Sequence, residues 1–183
     1  MPKLLDKLNL DHKHLSRLLD LMEKQLDGFH EGNEPDFELM CEMLEYVENY
    51  ADQVHHPTED LIFHRLLERS DKRRDVMETL FEQHQTLSRL SKQFRQSLEG
   101  VVHEAVLRRD LVEQQGRELL KLQRQHLDLE EGSIFPLARE LLTDDDWERI
   151  QEEAPTSIDP VFGEQDQARF RTLYQHLMGT WDE

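Results

Sequence analysis

The sequence contains two copies of one seven-residue phrase, His12-Lys-His-Leu-Ser-Arg-Leu18 and His84-Gln-Thr-Leu-Ser-Arg-Leu90. Each copy is followed, at nearly the same distance, by a histidine and a glutamate four residues apart. These pairs are His55-x-x-x-Glu59 and His126-x-x-x-Glu130. Residues four apart on an α-helix lie on the same face. Each half of the sequence is therefore predicted to be a helical hairpin that contributes one single histidine and one His/Glu pair.

Association of the two hairpins would bring the repeated polar residues into the core of one bundle. A single histidine on a helix is most often a surface residue or a hydrogen-bonded core residue, and most glutamates are solvated. The same spacing in both halves favours a shared function over coincidence, and it predicts a two-metal site. The six residues are His12, His55, Glu59, His84, His126 and Glu130.

His56 is a further candidate ligand. At about 100° per residue, His55, His56 and Glu59 fall within one broad face of their helix. Pro57 cannot donate a backbone hydrogen bond, and a distortion there would direct His55 and His56 toward different metals. A competing register pairs His56 with Asp60, also four residues on, but the match between the two halves favours His55 with Glu59. The five remaining histidines are predicted not to be ligands, with His14 and His64 the nearest candidates for outer contacts.

Apolar spacing and a composition rich in helix-forming residues predict an all-α, up-down four-helix bundle. Gly28 is predicted to close the first helix, Ser70-Asp71 to cap the third, Gly100 to end it, and Gly132-Ser133 to kink the fourth. The predicted helices cover residues 3–27, 35–68 and 71–98, and the fourth runs from between 101 and 109 to 142.

Beyond the bundle, assigned to residues 1–142, a C-terminal helical extension is predicted over residues 143–183. Thr143 should cap a short helix together with Asp146. Residues 164–178 should form a last amphipathic segment. The extension could pack on the bundle or on a partner, including a second copy of the chain, and the sequence does not choose between them.

Composition excludes several classes of partner. The 183 residues carry a formal net charge of −18, which would repel nucleic acid and anionic membranes. A single cysteine, Cys41, excludes an internal disulfide and is predicted to be a packed core thiol. The N-terminus lacks a long apolar segment, and no stretch approaches about 18 apolar residues. We therefore expect a cytoplasmic protein.

These motifs resemble the hemerythrin family, in its hemerythrin-like HHE cation-binding branch. The resemblance covers residues from about 4 to 142 and implies an up-down four-helix bundle with an oxo- or hydroxo-bridged pair of non-haem irons. It also implies terminal histidine ligands, bridging carboxylates at Glu59 and Glu130, and an additional ligand at His56. The motifs are Asp11-His12-x-x-Leu15, His55-His56-Pro-Thr-Glu59-Asp60, His84, His126-x-x-x-Glu130-Glu131 and Ile134-Phe135-Pro136.

The chain departs from the oxygen-carrying hemerythrins at two positions. Ser88 stands where those proteins have a second histidine in the third helix, and Glu131 stands where they have an aspartate. Five imidazoles and two bridging carboxylates would leave about one coordination position open on a bridged pair of octahedral irons. We therefore expect a di-iron protein that binds or reduces dioxygen, nitric oxide or peroxide in oxygen, redox or iron homeostasis. The alternatives are a regulatory sensor or interaction module and an iron-holding protein without turnover.

Overall fold

Helices account for most of the chain. The computed structural model describes residues 3–103, 108–162 and 170–179, and no strand occurs among them. Two π-helical segments, Val47–His55 and Glu130–Ile134, connect α-helices end to end. The α-helices are α1 (Lys3–His30), α2 (Phe37–Tyr46), α3 (His56–Arg69), α4 (Arg74–Val102), α5 (Arg109–Leu129), α6 (Phe135–Leu141), α7 (Asp144–Glu153) and α8 (Arg171–Gly179).

Four rods form the bundle: α1, α2 with α3, α4, and α5 with α6. Helix α1 packs against α5, α5 against α4, and α4 against α2 and α3. One apolar cluster contains both Leu5 near the start of α1 and Leu66 near the end of α3, so these two rods are antiparallel. The same cluster contains Met77 near the start of α4 and Ala138 in α6. The prediction of an all-α, up-down four-helix bundle is confirmed.

The apolar core has two parts, and a polar layer lies between them. On α4, Leu80 belongs to one cluster and Leu87 to the other, with His84 between them. On α1, Leu8 and Leu15 are divided in the same way. Removal of these side chains from water contributes about 25 cal/mol per Å² of buried apolar area. The two apolar layers thus fix the height and rotation of the side chains between them.

The two π-helical segments end at equivalent places in the two halves. The first ends two residues before Pro57, and the second ends two residues before Pro136. The N–H of His56 bonds to the carbonyl of Ala51, and that of Phe135 bonds to the carbonyl of Glu130, both five residues back. Proline has no backbone N–H, so the α-helical pattern is already interrupted there. The sequence predicted a distortion at each place but not its π-helical form.

Several predicted helix ends were wrong. Helix α1 runs through Gly28 to His30, and α4 runs through Gly100 to Val102. A glycine inside a helix costs only about 1 kcal/mol relative to alanine, which packing elsewhere in a long helix offsets. The predicted cap at Ser70-Asp71 was also wrong, because the N-cap of α4 is Arg73, with φ 59° and no side-chain cap. Ser70 Oγ instead accepts a hydrogen bond from the backbone N–H of Lys72.

The C-terminal helices pack on the bundle of their own chain. Trp147 and Ile150 of α7 join the apolar cluster around α3, and Leu173 and Leu177 of α8 join the cluster around α1 and α2. The early part of the predicted segment 164–178, up to residue 169, lies outside the described residues. The division at residue 142 into bundle and extension stays a prediction. No helix in the described part of the chain is both long and apolar enough to span a bilayer.

The cap of α7 is the predicted one. Thr143 accepts from the N–H of Asp146, and Asp146 accepts from the N–H of Thr143 at 2.9 Å, which completes a capping box. Arg69 Nη2 also donates to Asp146 Oδ1 at 2.9 Å. Burial would raise the pKa of the Asp146 carboxyl, but the bonds from Arg69 and Thr143 outweigh it and lower the pKa to about 2.

We predict that Asp146→Ala lowers the free energy of unfolding by about 1–2 kcal/mol at pH 7, because the N–H of Thr143 and the guanidinium of Arg69 both lose their carboxylate partner. The folded pKa lies below the unfolded value of about 3.9. The contribution of Asp146 is therefore full above about pH 4 and is lost as pH falls through about 2. Urea denaturation at pH 7 and pH 3 should give a smaller difference at pH 3. The exposed neighbour Asp145 is the control, and equal losses from Asp145→Ala and Asp146→Ala would contradict the assignment.

Candidate metal centre

The polar layer contains all seven side chains that the sequence analysis predicts as metal ligands. Each of the four rods contributes at least one of them, and every one is buried; His84 is the most exposed, at 7%. The buried residues are His12, His55, His56, Glu59, His84, His126 and Glu130. The tertiary structure therefore brings together residues from positions 12 to 130.

Glu59 faces histidines from three rods. The Nε2 atoms of His12 and His55 each lie 3.1 Å from its Oε1. The Nε2 atom of His84 lies 3.5 Å from its other oxygen, Oε2. The two oxygens of one carboxylate therefore face different imidazoles, which is the arrangement that a carboxylate bridging two cations requires.

Glu130 has the equivalent position in the second half. Its Oε2 lies 3.3 Å from the Nε2 atoms of both His12 and His126, and its Oε1 lies 3.5 Å from Nε2 of His84. The two glutamates thus share His12 and His84 as neighbours. The two glutamates, which match in the sequence repeat, therefore have roughly symmetric contacts in the site.

Candidate ligand atoms fall into two groups that share Glu59. One contains His12 and His55, the other contains His56, His84 and His126, and within each group one ligand atom per residue lies within 4.8 Å of the others. A donor set that fits a metal should leave polar atoms that the protein itself does not satisfy. Buried polar atoms nearly always have a hydrogen-bond partner. Seven atoms here are buried without one, and they are Nε2 of His55, His56, His84 and His126, Oε2 of Glu59, and both carboxylate oxygens of Glu130.

Those atoms fit a cation. Each is a lone-pair donor of a type that binds divalent transition metals, and all of them face the interior of the layer. Two cations would supply the partners that the described protein atoms do not. The assignment of each residue as a ligand stays a prediction, and its supporting geometry is the convergence of these atoms.

The far nitrogen of each imidazole faces an outer side chain. His55 Nδ1 lies 3.2 Å from Asp11, and His84 Nδ1 lies 2.7 Å from Asp60. When Nδ1 carries the hydrogen and donates it to the outer group, the lone pair of Nε2 is available to bind a metal. The hydrogen bond also fixes the orientation of the ring. The other pairs are His12 with Glu131 at 3.0 Å, His126 with Gln83 at 3.1 Å, and His56 with Asp52 at 3.4 Å.

The sequence analysis did not assign these outer roles. Asp52 precedes His56 by four residues on one rod, and that spacing could have been recognised. The role of Gln83 could not have been recognised from the sequence, because Gln83 lies on α4 and its side chain contacts His126 on α5. These contacts favour His55 with Glu59 over the competing register, because Asp60 is partly exposed and accepts from His84, whereas Glu59 is fully buried.

The five other histidines lie outside the polar layer. His30 pairs with Glu113, and His64 contacts the ring of Phe81. His14 lies beside Asp159, in a separate cluster. The remaining two, His103 and His176, each face a carbonyl oxygen of their own helix.

Burial and carboxylate contacts act in opposite directions on the imidazoles. Burial lowers the pKa of His126 to about 3 and also lowers the pKa of His56. Burial would lower the pKa of His12 too, but the nearby carboxylates of Glu130 and Glu59 outweigh it and raise this pKa to about 10. His56 and His126 are therefore neutral at pH 7, which is the protonation state that binds a metal.

A polar pocket reaches the site from the surface between the second rod and α4. Its volume is about 580 Å³, and it contacts His56 and His84 at the site. Pro57, Ser88 and Arg89 line other parts of its wall. Ser88, one helical turn after His84 on α4, thus faces this pocket.

Comparison with known proteins agrees with the geometry of the site. A search of curated proteins finds no match to the chain. The family model of the hemerythrin HHE cation binding domain matches residues 3–138, a range that includes every nominated ligand. With that match across most of its length, the chain belongs to the hemerythrin HHE cation-binding domain family.

Proposed function

We propose that the polar layer holds two non-haem iron ions and that the protein binds or reduces a small oxidant there: dioxygen, nitric oxide or peroxide. The observation that carries this proposal is the pair of ligand groups that share Glu59, with unpartnered donor atoms in both. His12 and His55 would bind one ion, and His56, His84 and His126 the other. Glu59 and Glu130 would contact both.

The donor set supports iron. Imidazole and carboxylate bind iron, zinc and manganese, whereas a structural zinc site or an iron–sulfur cluster would draw on thiolates. Cys41 packs against the apolar cluster, and burial raises the pKa of its thiol to about 11. Bound iron would supply the one-electron redox steps that oxidant chemistry requires. A shell with more imidazoles than carboxylates favours the reduced metal, which suits reversible ligand binding.

His56 controls access in this proposal. The ion held by His12 and His55 would have one imidazole fewer, so it would carry the open coordination position. The surface pocket, however, ends at His56 and His84. His56 and His84 therefore form the wall between the pocket and the proposed centre, and removal of the His56 imidazole would widen the opening between them.

The proposed function predicts a reversible spectral change. Iron-loaded protein prepared without oxygen should develop a ligand-to-metal charge-transfer absorption on exposure to air or nitric oxide, and lose it when the ligand is removed. Optical spectra and iron analysis during exposure measure both events. Irreversible bleaching with release of iron would instead support an iron-holding protein without turnover.

We predict that His56→Ala retains about two irons per chain but oxidises faster than the wild type, since the substitution opens a coordination position toward the pocket. Stopped-flow absorbance after mixing with oxygenated buffer measures the rate. His64→Ala, an exposed position on the same helix, is the matched control. Identical spectra and rates for the two variants would remove His56 from the ligand set.

Metal loading should stabilise the fold. A ligand that binds only the folded state adds about 4 kcal/mol at a concentration of about 1,000 times its Kd, so iron should raise Tm. Glu59→Ala and Glu130→Ala should each reduce iron content and this gain in Tm, because each removes a shared carboxylate. Calorimetry with and without chelator, beside the exposed control Glu118→Ala, measures the effect. Equal Tm values with and without bound iron would exclude a stabilising metal centre.

A further inference from the structure

A second cluster of metal-binding side chains lies outside the polar layer. Asp11 and His14 are three residues apart on one face of α1, and Asp159 comes from the segment that follows α7. One ligand atom from each of the three lies within 4.8 Å of the others. Their side chains are 5%, 14% and 11% exposed, so the cluster is largely shielded from water.

Neighbouring groups hold the cluster in place. Asp159 Oδ1 accepts from the backbone N–H groups of Val161 at 2.9 Å and Phe162 at 3.0 Å, and its Oδ2 accepts from Tyr46 at 2.9 Å. The His14 ring stacks on Phe162, with 3.6 Å between the ring centroids. Contacts with Tyr46, Phe162 and the backbone therefore hold the Asp159 carboxylate and the His14 ring in position.

One donor atom has no partner. His14 Nδ1 is buried without a hydrogen bond, and it lies 3.7 Å from Asp159 Oδ2, beyond hydrogen-bonding distance. A buried nitrogen that lacks a partner costs about 1–3 kcal/mol. A cation between His14 and Asp159 would provide that partner.

The charges of the cluster also favour binding of a cation. Burial would raise the pKa of the Asp159 carboxyl, but His14 and the backbone N–H groups outweigh it and lower the pKa, so the group is an anion at pH 7. Asp11 supplies a second carboxylate. The nearest lysine ammonium in an ion pair with the cluster is Lys7 Nζ, 3.7 Å from Asp11 and half exposed. Two shielded carboxylates beside an imidazole would attract a divalent cation.

We propose that Asp11, His14 and Asp159 form a third cation site, separate from the two-metal centre, for a divalent transition ion such as zinc or manganese. One imidazole with two carboxylates is a donor set that such ions accept, and water would complete the coordination. The ion would attach the segment before α8 to α1. Because Asp11 also accepts from His55 Nδ1, an ion at this site would help to orient a ligand of the neighbouring centre.

The test is metal stoichiometry of the full chain with zinc as the probe. After saturation with zinc and removal of excess ion, native mass spectrometry should find about three ions per chain in the wild type and about two in His14→Ala. Asp159→Asn, which keeps the size of the side chain, should also lose one. His64→Ala is the matched control and should keep all three. Equal zinc content in the wild type, His14→Ala and Asp159→Asn would overturn the proposal.

A variant that lacks the two-metal centre tests the third site independently of the proposed function. In the double variant Glu59→Ala/Glu130→Ala, the two-metal centre should lose its ions while the third site keeps one. Addition of His14→Ala should then remove that last ion, with circular dichroism as the check that the helices persist. A double variant whose zinc content does not respond to His14→Ala would contradict the third site, whatever happens at the two-metal centre.

Discussion

Seven polar side chains buried between two apolar layers are the constraint on which this structure depends. A carboxylate inside a protein is costly unless it is paired, and Glu59 and Glu130 are both fully buried. The imidazoles face these two carboxylates, and the outer acceptors face the imidazoles. The apolar clusters above and below supply the packing energy that holds this polar layer together. A cation in this layer would satisfy lone-pair donors for which the described part of the chain supplies no partner.

The two π-helical segments adapt a simple helical repeat to the site. Each ends two residues before a proline, and each lies at the height of the polar layer. A π-turn accommodates an extra residue and so changes the direction of the side chains that follow. Between α2 and α3 this occurs at His55 and His56, where adjacent histidines join different ligand groups. The π-helical segment between α5 and α6 is followed by Phe135 and not by a histidine, which explains why the two halves of the site are unequal.

Asp11 connects three parts of the structure. Its Oδ2 accepts from His55 of the two-metal centre and from Tyr50 OH at 3.1 Å, and its carboxylate also belongs to the cluster with His14 and Asp159. Through Tyr46, Asp159 is joined to the second rod as well. The segment after α7 is therefore held by polar contacts beside the centre, in addition to the apolar contacts of α8. The Asp11 carboxylate therefore contacts both the two-metal centre and the cluster that holds this segment.

The sequence by itself determined the four rods, the seven buried polar residues of the core and the cap of α7. Each of these follows from local periodicity: residues three or four apart share a helix face, and a capping box spans one helical turn. Only the tertiary structure decided which outer groups orient the ligands, as with Gln83 and His126, and that His14 meets Asp159. Such pairs join elements that are distant in sequence, so they depend on how the helices rotate and pack against each other. The end of α4 beyond Gly100 was decided in the same way, because packing offsets a local preference of about 1 kcal/mol.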